Sequence, residues 1–144
     1  MASSIGTKLS KIQQELKAKK SRFNSFGKYN YRAAEDILEA LKPFNEKYGV
    51  HFTISEQYLD EGVIQTTTTI FDNEGGNFIE ACAIVGVDFN SRGMSKPQQF
   101  GAASSYGKKY ALGNLLLIDD TADADATNNH GKTTTTKVDV DKLF

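Results

Sequence analysis

From Lys19 to Arg32 the chain reads Lys-Lys-Ser-Arg-Phe-Asn-Ser-Phe-Gly-Lys-Tyr-Asn-Tyr-Arg, four aromatic rings among five cations. Tyr106-Gly107-Lys108-Lys109-Tyr110 repeats the combination, and Arg92 and Lys96 precede it. Cations offset phosphate charge, and rings offer stacking faces to bases that are not paired, so this mixture suits an extended single strand. The residues expected to contact DNA are Lys28, Tyr31, Arg32, Arg92, Lys96, Tyr106, Lys108 and Lys109. Phe23 and Phe26 read instead as buried anchors of their loop.

Other reactive residues lead less far. Asp119, Asp120, Asp123 and Asp125 could hold Mg²⁺ at a phosphodiester, the chemistry of a metal-dependent nuclease. All four, however, fall in one short low-complexity stretch, whereas a rigid two-metal site draws ligands from several packed elements. His51 has no nearby Cys or His partner and reads as a lone strand histidine. Cys82, the single cysteine, lies in an apolar run and reads as inert buried packing. No phosphate-cradling Gly-x-x-x-x-Gly-Lys-Ser/Thr occurs, which is consistent with independence of ATP. The expectation is a binding protein with no catalytic residues, no metal and no cofactor.

The net charge of −1 hides a strong segregation. Residues 1–48 carry ten bases against five acids, and residues 49–88 carry seven acids and no base. Residues 89–118 carry four bases and no acid, and residues 119–144 six acids against three lysines. A polyanion responds to a local basic face rather than to the total, so the small net charge does not exclude it. The first twenty residues lack the apolar stretch of a signal peptide, and no apolar run approaches the ~20 residues of a membrane span. A soluble, intracellular protein is expected.

These residues need a scaffold. Ile5, Leu9, Ile12 and Leu16 form one stripe of a helix over 4–20, capped by Ser3 or Ser4, with Lys8, Lys11, Gln14 and Lys17 opposite. Ala34, Ile37, Leu38, Leu41, Phe44 and Tyr48 mark a second helix over 33–48, stopped by Gly49 and kinked or opened at Pro43. Strands follow from Val50 to Leu59, Val63 to Phe71 and Phe78 to Val87, turned at Asp60–Gly62 and Asn73–Gly76. They form an antiparallel meander, and the apolar Phe78–Val87 run reads as its central strand. After a loop over 88–98, a last helix runs from Pro97 to about Leu117 and is rich in small residues that let it approach a sheet closely. The fold class is α+β, with a core over 1–118 and an acidic tail over 119–144 expected to be disordered.

Gln98-Gln99-Phe100-Gly101-Ala102-Ala103-Ser104-Ser105-Tyr106-Gly107-Lys108-Lys109-Tyr110-Ala111-Leu112 resembles the hallmark helix of the Erf (essential recombination function) family of phage annealing proteins. Leu115 to Ile118, the acids after it, and Tyr29-Asn30-Tyr31-Arg32 before Ala34-Glu35-Asp36-Ile37-Leu38 continue the likeness over roughly residues 28–126. Lysines stand at 108 and 109 where arginines are common, and Gly107 where alanine is usual. Lysine keeps the charge and loses the bidentate fork.

The resemblance implies a β-β-β-α annealing core that binds single-stranded DNA and pairs complementary strands without ATP, in the cytoplasm of a bacterial host. It implies a homo-oligomer, ring or filament. The open edges of a three-stranded meander independently favour self-association. The ending Val138–Phe144 alternates acid and apolar residues and fits a docking peptide for a host replication or single-strand-binding protein. A different nucleic-acid-binding module and the Mg²⁺ nuclease are the alternatives.

Overall fold

Ser4 opens the first helix by accepting the Thr7 N–H at 3.1 Å, and Ile5–Glu15 (α1) follows. The computed structural model describes residues 3–118. Its other elements are the strands Arg22–Asn24 (β1) and Tyr29–Tyr31 (β2), the helix Ala34–Tyr48 (α2), the strands Val50–Leu59 (β3), Val63–Asp72 (β4) and Phe78–Gly86 (β5), and the helix Lys96–Leu116 (α3). The expected acidic tail, with its aspartate cluster and its docking peptide, lies outside the described residues. Lys19–Arg32 forms a compact unit of its own, and residues 3–18 with Ala33–Ile118 form the main one.

In the main unit three antiparallel strands stand in the order β3-β4-β5. The Phe78–Val87 run is therefore an edge, not the centre. The central strand is the threonine-rich β4, whose polar side chains hide its burial from a hydropathy reading. Side chains alternate across a strand, so Ile64, Thr66, Thr68 and Ile70 face the helices, where all four are buried. There Ile70 belongs to one buried cluster with Ile12, Ile37, Leu41, Val50, Leu112 and Leu116, a core drawn from all three helices and the sheet.

The α1 stripe works as its spacing predicts, with Leu9, Ile12 and Leu16 buried in that core, though the helix ends at Glu15 rather than at 20. Lys8 departs from the reading. It flanks the stripe and is buried, its Nζ 3.0 Å from Asp72 Oδ1 at the end of β4. The Glu74 N–H and the Lys8 ammonium both bond that carboxylate and hold its pKa below the ordinary aspartate value. Glu15 is likewise held low, by Lys47 and by the Tyr48 hydroxyl, which ties α1 to the end of α2.

Helix α2 begins where the Asp36 carboxylate accepts the Ala33 N–H at 2.8 Å, and it ends at Gly49 in the left-handed conformation, φ 64°. It runs unbroken through Pro43. Only one intrahelical bond is lost there, five residues before the end, and the packing of Ile37, Leu41 and Phe44 outweighs it.

Helix α3 has a capping box, Ser95 with Gln98, and Pro97 in its first turn. It packs on β4 and β5 through Ala103, Gly107 and Ala111. Thr68 donates its hydroxyl to the Ala111 carbonyl at 3.2 Å. A Cβ on Gly107 would lie 2.3 Å from Thr66 Oγ1, so glycine at this position is what permits the approach. Thr66 is fully buried and its hydroxyl has no partner among the described residues.

Candidate nucleic-acid interface

The first basic stretch folds as a hairpin, β1 paired antiparallel with β2, where sequence reasoning saw only a loop. Asn24 organises the turn: its Oδ1 accepts the Phe26 and Gly27 N–H groups, and its Nδ2 donates to the Tyr29 hydroxyl at 3.1 Å. Lys28 takes a left-handed conformation, φ 58°, to close it. Phe23 and Phe26 are exposed, Phe26 by 98 %, so neither is the buried anchor expected. Of the three residues predicted here to touch DNA, Lys28 is exposed, Tyr31 half-buried and Arg32 buried. Tyr29 and Tyr31 place their rings 6.0 Å apart.

The other five lie in the main unit. Arg92 and Lys96 are exposed, on the loop after β5 and at the start of α3. Lys96 Nζ stands 4.9 Å above the centre of the Phe89 ring, which touches Phe100, which in turn touches Tyr58 at 5.6 Å. This ladder of a cation and three rings joins elements distant in sequence. Gln99 fixes the loop, its side-chain amide directed at the carbonyls of Phe89, Ser91 and Met94. Sequence reasoning missed Tyr58, Phe89 and Phe100 as a group, because only the β3-β4 register and the loop's return bring them together.

Successive helix residues turn by about 100°, and α3 therefore separates its remaining candidates. Ser104 donates to Glu56 of β3 at 2.9 Å, so the Ser104–Lys108 side of α3 lies toward β3. Asn114 donates to the Cys82 carbonyl of β5 at 2.9 Å, so the Tyr106–Tyr110–Asn114 side lies toward β5. Lys108 and Lys109 are both half-buried, on adjacent azimuths rather than on one line.

Beside the ring ladder, Glu56, Tyr58, Ile64, Phe100, Gly101 and Ser104 line an open groove of about 500 Å³. On the sheet face away from α3, His51, Phe71 and Phe78 form a row of rings across the three strands, at 4.9 and 5.6 Å. Cys82 lies on that same face and is exposed, not buried, because its side chain points away from the helices while its neighbours Ala81 and Ala83 point toward them. His51 Nδ1 is 2.6 Å from Asn73 Oδ1. Among the described residues no three His, Cys, Asp or Glu side chains converge on a metal position. None of their helices is long and apolar enough to cross a membrane.

A family model described as the ERF superfamily matches residues 5–142. The Essential recombination function protein of Salmonella phage P22 is 41 % identical over 133 residues, 90 % of this chain and 62 % of that protein. The chain thus spans less than two thirds of that relative's length. No solved structure matches it.

Proposed function

This chain belongs to the ERF superfamily, and from that premise we propose that it serves phage recombination by holding single-stranded DNA and pairing complementary strands without ATP. The observation that carries the reading is the α3 corner, where Lys96 and Phe89 form a cation-ring pair, with Arg92 exposed on the loop between them and Lys108 and Lys109 further along the same helix. Such groups hold the sugar-phosphate backbone and stack on bases without reading their pairing edges. Lys28, Tyr31 and Arg32 of the hairpin belong to the same proposal.

Annealing breaks no covalent bond. The two strands must be extended, their phosphate repulsion screened and their pairing edges left free. Lysine suits this work, since it neutralises phosphate as a point charge without fixing a bidentate geometry. Many weak sites become a tight hold when copies are arrayed along one strand. The chain therefore acts as a homo-oligomer, a ring or filament, in the cytoplasm of a bacterial host. The outer edges of β3 and β5 carry no further strand among the described residues, and open edges recruit other chains.

Equilibrium binding to a single-stranded oligonucleotide and to its duplex, across a salt series, tests the assignment. Preference for the single strand, with affinity falling steeply as salt rises, supports it. Equal or tighter duplex binding points to a different nucleic-acid module, and Mg²⁺-dependent cleavage of either substrate points to a nuclease.

A further inference from the structure

Two features of the main unit lie on the helix side of the sheet but at opposite edges. At the β3 edge is the groove lined by Tyr58, Ile64, Phe100 and Gly101, with Glu56 and Ser104 at one side. Above Gly101 there is open space, with no atom within 4 Å of a Cβ built there. At the β5 edge stand Tyr106 and Tyr110, one helical turn apart, their rings 5.9 Å from each other and 52 % and 44 % exposed. One edge is concave and apolar; the other presents two rings.

Their heights along the strands agree. Glu56, Thr66 and Ala83 share one row of the sheet, and Tyr58, Ile64 and Val85 another two residues away. Gly107, between the two tyrosines in sequence, approaches Thr66 and Val85 of these rows. Helical side chains lean toward the N-terminus, which carries the Tyr106 and Tyr110 rings from their backbone positions toward the rows of Glu56 and Tyr58. These are the rows that form the groove. Strands β3 and β5 run parallel to each other, since both are antiparallel to β4. A second copy brought alongside in the same orientation therefore lays its β5 edge parallel to β3. With no shift along the strands, its tyrosines come level with the groove.

The same register has a consequence on the opposite face. His51, Phe71 and Phe78 occupy one row. The same unshifted apposition brings the second copy's Phe78 beside His51, so that the row of rings continues from copy to copy. A shift of one residue would instead set Phe78 on the wrong face.

We propose that Tyr106 and Tyr110 of one copy seat in the Tyr58–Phe100 groove of the next, forming the head-to-tail contact of the assembly. The placement rests on the oligomeric reading above and assigns Tyr106 to a subunit contact rather than to DNA. Glu56 at the groove wall offers its carboxylate to an incoming tyrosine hydroxyl. Because the two surfaces differ, each copy gives one and receives one, and the series closes into a ring or runs on as a filament.

Light scattering after size exclusion, at micromolar protein, tests it with two variants. Y106S/Y110S removes the rings, and Gly101→Trp fills the groove from a helical position with open space around it. Far-UV circular dichroism should be unchanged in both. Each variant alone should run near the 15.8 kDa of one chain, with self-association at least ~30-fold weaker, the loss typical of an interface anchor. Mixed in equal amounts, the two should recover a dimer of twice that mass and nothing larger, since each retains one intact surface.

Variants that keep the wild-type mass overturn the placement, as does a mixture that stays monomeric. Loss of single-strand affinity with no change of mass also overturns it and gives the groove to a base. A wild-type chain that is itself monomeric, with and without oligonucleotide, refutes the assembly reading, a failure distinguishable from the others.

Discussion

Gly107→Ala should destabilise the protein, although replacing a helical glycine by alanine ordinarily stabilises by about 0.5–1 kcal/mol. The new methyl would stand 2.3 Å from Thr66 Oγ1 and 3.3 Å from Thr66 Cβ, and Thr66 is fully buried, with little room to rotate. Forcing a methyl into a filled site costs about 1–3 kcal/mol, which exceeds the helical gain over most of that range. Thr66→Ala removes the severe obstruction, Oγ1 at 2.3 Å, leaving only the milder Cβ contact at 3.3 Å. That Oγ1 is a buried hydroxyl with no partner among the described residues, so alone the change should cost little. In the double variant the methyl added at position 107 occupies the space Thr66 left, and the helical gain remains. The double variant should match or exceed wild type, with a coupling of about 2 kcal/mol, inside the ~0.5–3 kcal/mol range for residues in contact. Gly101→Ala, in open space, should show the plain helical gain. Urea unfolding of the four proteins and this control, at one fixed protein concentration, gives the cycle. Additivity within ~0.5 kcal/mol, or a Gly107→Ala chain as stable as Gly101→Ala, would refute the close-contact argument.

Other parts of the structure give three further outcomes. K108A/K109A should weaken single-strand binding and flatten the log–log salt slope by about 1.4, at ~0.7 per phosphate contact; an unchanged slope removes both lysines from the interface. Phe89→Leu keeps an apolar side chain against Gly62 but removes the ring beneath Lys96. It should lower single-strand affinity about 5- to 100-fold if that ring stacks on a base, and leave it unaltered if not. The Asp72 carboxyl is held below its ordinary value, so its contribution to stability is present above pH 3.8 and is lost as pH falls from there through the folded value. Asp72→Asn should start less stable at neutral pH and lose less on acidification. An acid-side slope equal to wild type would show that the group is not linked to folding.

The order of elements was legible because it rests on local signals. The Ile5-Leu9-Ile12-Leu16 stripe, the Gly49 stop, the turns at Asp60–Gly62 and Asn73–Gly76, and Pro97 at a helix start each act within a few residues. What required the third dimension was hidden. Thr66 and Thr68 make β4 look polar, yet β4 is the buried centre: the Thr68 hydroxyl is buried under a helix carbonyl that accepts it, and Thr66 lies beneath the close approach of Gly107. The same error sent Cys82 and the β5 run to the interior. Asn24 turned a presumed loop into a hairpin through side-chain bonds to its own turn, a signal present in Asn-Ser-Phe-Gly but not decisive alone. Among the site residues, Arg92, Lys96, Lys108 and Lys109 could be named from charge and spacing. The Tyr58-Phe100-Phe89 ladder could not, because its members meet only through strand register and the return of the loop after β5.

Strand pairing itself is the decisive test of the proposed function. Two complementary labelled oligonucleotides, at concentrations where they anneal slowly alone, are mixed with the protein in the absence of nucleotide and of Mg²⁺, and duplex formation is followed by energy transfer. The protein should accelerate pairing at low salt, K108A/K109A should do so less, and non-complementary strands should give no signal. Tight single-strand binding with no acceleration at any ratio of protein to strand would contradict the annealing function.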